Sequence, residues 1–304
     1  MKIINTLKDF QTFHIQTKNL DPKNALKIWR KLFEKKYGKY IDELIYQKRM
    51  NKKWKDTRIK CFESFLTNYP KTYQQQVSFY KRANKLISKS IKSFKKIFPD
   101  ANFDNVTFFI APSLFSYNGK VEALSKNGKA WIFGIGPDII SSTSTNGSNF
   151  AHNDAVFFAH ELFHLYHLSK FKLSEKDFLE SKILHCAWVE GLAVYASKLI
   201  CPKVHLSYHL MDKNMKSIVD KKYKYLLERF KNNCTSQIRI MGKESKELST
   251  WFNRQQDKKV PERAGYYLGY LIAKEVAKRY GFNNIINWKF NQVEKPIIEA
   301  LKNL

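Results

Sequence analysis

The stretch Ala155-Val156-Phe157-Phe158-Ala159-His160-Glu161-Leu162-Phe163-His164-Leu165-Tyr166-His167 constrains the fold more than any other. Val156, Phe157, Phe158, Leu162, Phe163, Leu165 and Leu168 make a helix over this segment apolar nearly all round, so it should be buried. Any fold of the chain must then bury two imidazoles and a carboxylate with it. Ionisable groups lose heavily on leaving water unless they are paired or bind a metal. Core histidines that merely satisfy backbone carbonyls are the simpler alternative, and the pattern His-Glu-x-x-His argues against them. Residues four apart share a helix face with Cβ atoms about 5–6 Å apart, which lets His160 and His164 grip one ion. Glu161 lies about 100° round the helix from His160, beside the ion and not on it, which suits a base acting on water.

A third ligand is expected from a second apolar helix over Phe178 to Ile200. There Glu190 is a carboxylate among Ala187, Val189, Leu192 and Ala193, followed by Gly191, a residue that costs a helix about 1 kcal/mol. A glycine at that place lets another backbone or a metal site approach closely. Two histidines, one glutamate and an open position form an established catalytic zinc set, so zinc is the expected cofactor. Cys186, one turn before Glu190, reads as a small core residue more readily than as a ligand. His205 and His209 repeat the four-residue spacing without the glutamate and read as surface or packing residues; His167 and His185 are candidates for supporting the ligands.

With 304 residues the chain can bury a full core without staples. Lys and Arg number 54 against 27 Asp and Glu, a formal charge of +27 that attracts nucleic acid, anionic membrane or acidic protein. The basic residues are spread over the whole chain, so the charge is read as a modifier: a peptide or protein substrate, favoured where acidic, and no specific nucleic acid. The cysteines Cys61, Cys186, Cys201 and Cys234 form no Cys-x-x-Cys pair, which fits a reducing compartment. No signal-peptide run and no uncharged apolar stretch of about 18 residues is seen, so a cytoplasmic protein is expected, with export by a specialised route left open.

Along the chain, Asp21-Pro22 is a good helix start, a capping carboxylate before proline at the first helical position. The helix it opens is one that Gly38 would break in two. Further helices are expected over Trp54 to Leu66 and Tyr73 to Phe98. From Asn105 the pattern turns to strands, Val106 to Ile110, Val121 to Leu124 and Ala130 to Ile135, joined at Asn118-Gly119 and Asn127-Gly128 into a small antiparallel meander. The last strand, with Trp131, Phe133 and Gly134, is expected to offer an edge for extended peptide. Ser141 to Asn149 reads as a mobile loop before the His-Glu-x-x-His helix. Helices over Met211 to Lys231 and Glu262 to Tyr280 follow, the latter carrying Gly265-Tyr266-Tyr267-Leu268-Gly269, whose spaced glycines suggest close packing on a neighbour. The fold class expected is α+β, with a helical portion at 1–100 and a catalytic domain at 101–304 holding the sheet beside the metal helix.

His160-Glu161-Leu162-Phe163-His164, Trp188-Val189-Glu190-Gly191-Leu192-Ala193-Val194-Tyr195 and Tyr266-Tyr267-Leu268-Gly269 together resemble the gluzincin group of zinc metallopeptidases. The likeness covers about Trp131 to Tyr270. Its Trp-x-Glu-Gly-x-Ala and Tyr-x-x-Gly elements are similar to the membrane alanyl aminopeptidase family, and the short chain resembles more nearly the predicted zinc proteases of bacteria. The resemblance implies a zincin-like fold, His160, His164 and Glu190 as ligands, Glu161 as base and Tyr266 as donor to the oxyanion. The Gly-x-Met-Glu-Asn element with which the aminopeptidases hold a free amine is absent. His167 and Lys170 stand where a metzincin has Gly and a third His, and Val194 where the thermolysin family has a carboxylate that orients a histidine. The missing amine-binding element favours an endopeptidase, the second departure excludes the metzincins, and the third leaves the residues that orient the histidines unidentified. An aminopeptidase, or a basic polyanion- or peptide-binding protein with a non-catalytic zinc, are the rival readings.

Overall fold

In the computed structural model the chain divides into two compact units, Met1–Ser148 and Asn149–Leu304. The structure describes residues 1–48, 53–124, 130–143, 151–171, 180–240, 243–252 and 257–304. The division falls later than residue 100 because the sheet groups with the N-terminal helices. Its first strand, β1 (Lys2–Asn5), comes from the very start of the chain.

After β1 the first unit runs through α1 (Leu7–Thr17), α2 (Pro22–Trp29), α3 (Lys35–Ile41), α4 (Trp54–Asn68) and α5 (Tyr73–Ile97), then β2 (Val106–Ile110), β3 (Gly119–Ala123), β4 (Trp131–Ile135) and α6 (Pro137–Thr143). Asp21 caps α2 as expected, its carboxylate accepting from the Asn24 amide at 3.0 Å. Between α2 and α3 the helix widens into a π-helical turn, and the backbone kink falls at Tyr37 (φ −124°, ψ 17°), not at Gly38. Phe10, Phe13, Trp29, Phe33, Phe62 and Phe65 are buried together as an aromatic core. Phe13 meets Trp29 edge-on at 5.9 Å, a favoured arrangement of ring quadrupoles.

The sheet is mixed, which corrects the antiparallel meander. Its order is β1-β2-β4-β3, with β1 parallel to β2, β2 parallel to β4, and only β3 antiparallel to β4. The reason lies after β2, where Asn118-Gly119 makes no tight hairpin between neighbours. The buried Asp138 carboxylate accepts from the amides of Ser113 (2.9 Å) and Phe115 (2.7 Å) and from the Ser113 hydroxyl, holding a wide loop in which Leu114 and Phe115 have left-handed φ of 53° and 56°. That loop carries the chain past the place β4 takes, so β4 enters between β2 and β3. Consequently β4 has no free edge: Trp131, Phe133 and Gly134 are paired on both sides, and Phe133 is fully buried. At Gly134 a Cβ would meet Leu44 at 2.7 Å, so the glycine answers to the core. The expected peptide edge along Ala130 to Ile135 is therefore withdrawn. Asn127-Gly128 and residues 144–149 of the expected loop lie outside the described residues, while Ser141 to Thr143 belong to α6.

The second unit contains α7 (Asp154–Phe171), α8 (Ile183–Ile200), α9 (Leu206–His209), α10 (Met215–Lys221), α11 (Tyr223–Asn233), the short pair β5 (Arg239–Ile240) and β6 (Lys243–Glu244), α12 (Lys246–Phe252), α13 (Ala264–Tyr280), α14 (Phe282–Ile285) and α15 (Phe290–Asn303). The single helix expected over Met211 to Lys231 is two, α10 and α11. The described part of the helix expected from Phe178 begins at Ile183, residues 172–179 lying outside the description. By length and composition α8 would suit a membrane span, with mean hydropathy 1.3, yet 61% of it is buried inside the protein and it carries Glu190.

Two glycines set how α8 and α13 meet. A Cβ on Gly191 would lie 2.1 Å from the Gly269 carbonyl oxygen, and one on Gly269 would lie 2.2 Å from that of Ala187. Only hydrogen fits at both places. The two backbones touch there, one residue from Glu190 and one turn from Tyr266.

Candidate metal centre

α7 is buried on every side, as its sequence requires: Val156, Phe157, Phe158, Leu162, Phe163 and Leu165 are each at most 2% exposed. Asn153 starts it, its side-chain oxygen accepting from the Val156 amide at 3.2 Å. The same burial carries His160 and Glu161 inside, at 4% and 7% exposure. From α8, Glu190 reaches them.

Three atoms converge. His160 Nε2 and His164 Nε2 are 3.0 Å apart, and Glu190 Oε2 lies 3.3 Å from the first and 3.5 Å from the second. Tetrahedral zinc with bonds of about 2.0–2.2 Å sets its ligand atoms roughly 3.3–3.5 Å apart, so the two edges at Glu190 match one face of such a site and the edge between the histidines is about 0.3 Å shorter. Glu190 Oε2 is buried, and the two imidazole nitrogens stand at the outer limit of hydrogen-bond distance from it. A buried carboxylate oxygen left so, facing two ring nitrogens, is what a cation satisfies. Among the described residues this is the one group of three such side chains able to hold a metal.

The charges follow from burial and neighbours. Burial raises the Glu190 carboxyl, but the His164 charge and hydrogen bonding from both imidazoles overcome this and hold it far below the usual carboxylate range. Burial also lowers the His164 imidazole, and the Glu190 carboxylate more than restores it, leaving it raised. Glu161, off the triangle, is pushed up by burial and further by Glu190, while His160, His164 and Arg263 partly offset this. A raised carboxyl poised beside a metal group is suited to passing a proton.

Of the adjacent tyrosines Tyr266 and Tyr267 in α13, only one faces this centre. The Tyr266 ring lies 6.5 Å from that of His160, nearly parallel to it, and Tyr266 shares a cleft with Glu190. Burial pushes its phenol well above the usual range, so it stays a donor. Tyr267 turns away, its hydroxyl donating to Asp220 Oδ1 at 3.1 Å. Adjacent helical residues point about 100° apart, which is why both cannot serve.

Sequence reasoning missed Arg263. It precedes α13 in a left-handed conformation (φ 60°, ψ 19°), and its guanidinium sits 4.2 Å from the Tyr266 ring centre. An arginine just ahead of the tyrosine helix was the only signal available.

The lesser candidates resolve into packing. The Cys186 thiol is pushed up to about 12 by burial and by the charges of Glu190 and Glu244, so it remains a neutral wall of the cleft. His209 is buried, bonded through Nδ1 to the Ser197 hydroxyl at 2.8 Å and lowered to about 4 by burial, while His205 caps α9. His167 stacks on Phe163 at 5.5 Å and is lowered to about 3 by burial. His185 lies five residues before Glu190, its Nδ1 accepting from the Lys182 amide. His160 Nδ1 is buried without a hydrogen-bond partner among the described residues, so no protein acceptor there orients that ring.

Fold and site thus define an α+β protein, mostly helical with a small mixed sheet, whose second unit gathers two histidines and a glutamate able to hold a metal ion. The family model described as "Putative zinc dependent peptidase (DUF5700)" matches residues 23–297, nearly the whole chain, and the chain belongs to that family. The family is described as zinc dependent, which agrees with the donor set of the centre, and a peptidase family implies a peptide or protein substrate. No curated protein and no solved structure matches the chain significantly.

Proposed function

We propose that the chain is a zinc endopeptidase of the gluzincin type, with a zincin-like second unit. His160, His164 and Glu190 hold the ion, Glu161 is the general base and Tyr266 is the oxyanion donor. The observation that carries this reading is the triangle of ligand atoms with Glu161 beside it and Tyr266 across it.

Zinc, when bound, polarises a carbonyl and makes water more acidic. The residues of the chain supply the rest. Glu161, its proton affinity raised by burial and only partly lowered by the imidazoles, takes the proton of the attacking water on its carboxylate. It then gives the proton to the leaving amine nitrogen. Tyr266 donates its hydroxyl hydrogen to the carbonyl oxygen as charge builds there, a contribution of about 10²-fold or more in rate. Arg263, over the Tyr266 ring, keeps the phenol in place. The apolar walls of α7 and α8 exclude other water.

Internal cleavage is favoured because the element that would hold a free amine is absent from the sequence, and a cytoplasmic location is expected. The net charge of +27 favours acidic substrate segments through long-range attraction, an effect that salt screens beyond about 10 Å at 0.1 M. The test compares one peptide with a free and with an acetylated N-terminus, at low and moderate salt, with products weighed. Internal fragments from both forms are expected. Single N-terminal residues released only from the free form would make the protein an aminopeptidase and refute the endopeptidase reading.

A further inference from the structure

Beside the metal group, α8, α12, α13 and α15 line a cleft of about 290 Å³. That volume equals roughly ten waters of bulk liquid, room for one large side chain. Along α8 the lining runs from Glu190 through Val189 and Cys186 to His185, five residues and about 7.5 Å of helix rise. The cleft therefore begins at the metal group and continues away from it. Its other walls are Ile238, Leu248, Phe252 and Phe290, with the Tyr266 ring near the metal.

The far part carries polar groups that lie against one another. His185 Nδ1 accepts from the Lys182 amide at 3.1 Å. The imidazole stacks flat on Phe290, centroids 4.1 Å apart and 2° from parallel. Its Nε2 lies 3.3 Å from Glu294, whose carboxylate is held by the Lys182 ammonium at 2.7 Å. Lysine and glutamate cancel, leaving no net charge there to receive an ionic side chain. Among the apolar walls a charged guest of either sign would lose its hydration without a partner.

We infer that this cleft is the specificity pocket of the protein and takes a large uncharged side chain, aromatic before aliphatic, from the residue flanking the scissile bond. The inference rests on the peptidase reading and names its substrate class. Three facts argue together: the walls are apolar, the cleft is continuous with Glu190 and Tyr266, and the rings of Phe252, Phe290 and Tyr266 offer faces and edges to an aromatic guest. Attraction of acidic segments by the basic surface acts on the chain around this residue and not within the pocket.

The experiment uses acetylated, amidated peptides identical except for Ala, Leu, Phe, Asp or Lys at one position. Cleavage by the zinc-loaded wild type gives kcat/KM and the bond cut, and calorimetry with the zinc-loaded Glu161→Gln protein gives affinity without turnover. The Phe peptide should exceed the Ala peptide by at least about 30-fold in kcat/KM, with Asp and Lys poorest. Leu248→Trp, from α12, fills the cleft and should bring the Phe-to-Ala ratio close to one; Val189→Phe does the same from α8 should the first variant misfold by circular dichroism. Equal rates and affinities across the series, a preference for Asp, or an unchanged ratio in a folded filling variant would overturn the inference while leaving the peptidase reading intact. Graded affinity for the Phe peptide without cleavage by the wild type would keep the pocket and overturn the reading beneath it.

Discussion

Replacing Gly191 by alanine tests how α8 and α13 are held together. The new Cβ would stand 2.1 Å from the Gly269 carbonyl oxygen and 2.2 Å from its carbon, both atoms of a backbone that cannot swing aside. Ordinary contact needs at least about 3.2 Å, so the helices must separate by roughly 1 Å at this point. Overpacking of a tight interior costs about 1–3 kcal/mol, and a clash of backbone with Cβ belongs at the upper end. Against this, alanine improves the helix by about 1 kcal/mol. The balance is a loss of roughly 2 kcal/mol, a fall in Tm of about 4–8 °C for a unit of this size. Because Tyr266 lies one turn before Gly269, separation should also draw it from Glu190 and lower peptide turnover. Gly38→Ala is the control: nothing lies within 4 Å of the added Cβ, so only the helix gain of up to about 1 kcal/mol is expected. Thermal unfolding followed by circular dichroism reads both. A Gly191→Ala protein that melts at or above the wild type would refute the close approach.

Metal analysis after mild dialysis should find about one zinc per chain in the wild type, and Glu190→Ala or His160→Ala should lose most of it. Full zinc and activity in Glu190→Ala would remove Glu190 from the ligand set. Zinc retention should weaken as the solution is made acidic, since a histidine ligand must be unprotonated to bind and Glu190 favours the proton on His164; retention unchanged at pH 5 would contradict this. Tyr266→Phe should lower kcat by about 10²-fold with zinc content unchanged, whereas Tyr267→Phe, which loses only its bond to Asp220, should cost activity little; the reverse order would move the donor role to Tyr267.

How much of this was legible in the sequence depends on the range of the interactions. The metal triangle was legible because its two halves are local patterns: His160 and His164 are fixed by helix pitch, and Glu190 stood out as a carboxylate in an apolar run. That adjacent tyrosines of α13 point different ways, Tyr266 toward the centre and Tyr267 toward Asp220, was legible for the same reason. Gly191 and Gly269 marked themselves as a close approach because glycine inside a helix needs a cause. The sheet was not legible. Strands β2, β3 and β4 were placed within a residue or two of their ends, yet their order depends on where Asp138 pins a loop 23 to 25 residues earlier, a contact no local pattern records. β1 was missed because four residues at the chain start show too short an alternation, and its partner lies more than a hundred positions away. Arg263 was invisible for a different reason, since its left-handed backbone has no composition signal in a non-glycine residue.

The most direct test of the central claim sets the wild type against Glu161→Gln, both loaded with zinc and both shown to be folded. Unbiased mapping by mass of the peptides each produces from a complex peptide mixture reads the outcome. Equal zinc in the two proteins, with cleavage by the wild type and turnover lower by orders of magnitude in Glu161→Gln, is the result expected of a base that touches water and not metal. Equal cleavage by both proteins, or cleavage by neither, would contradict it.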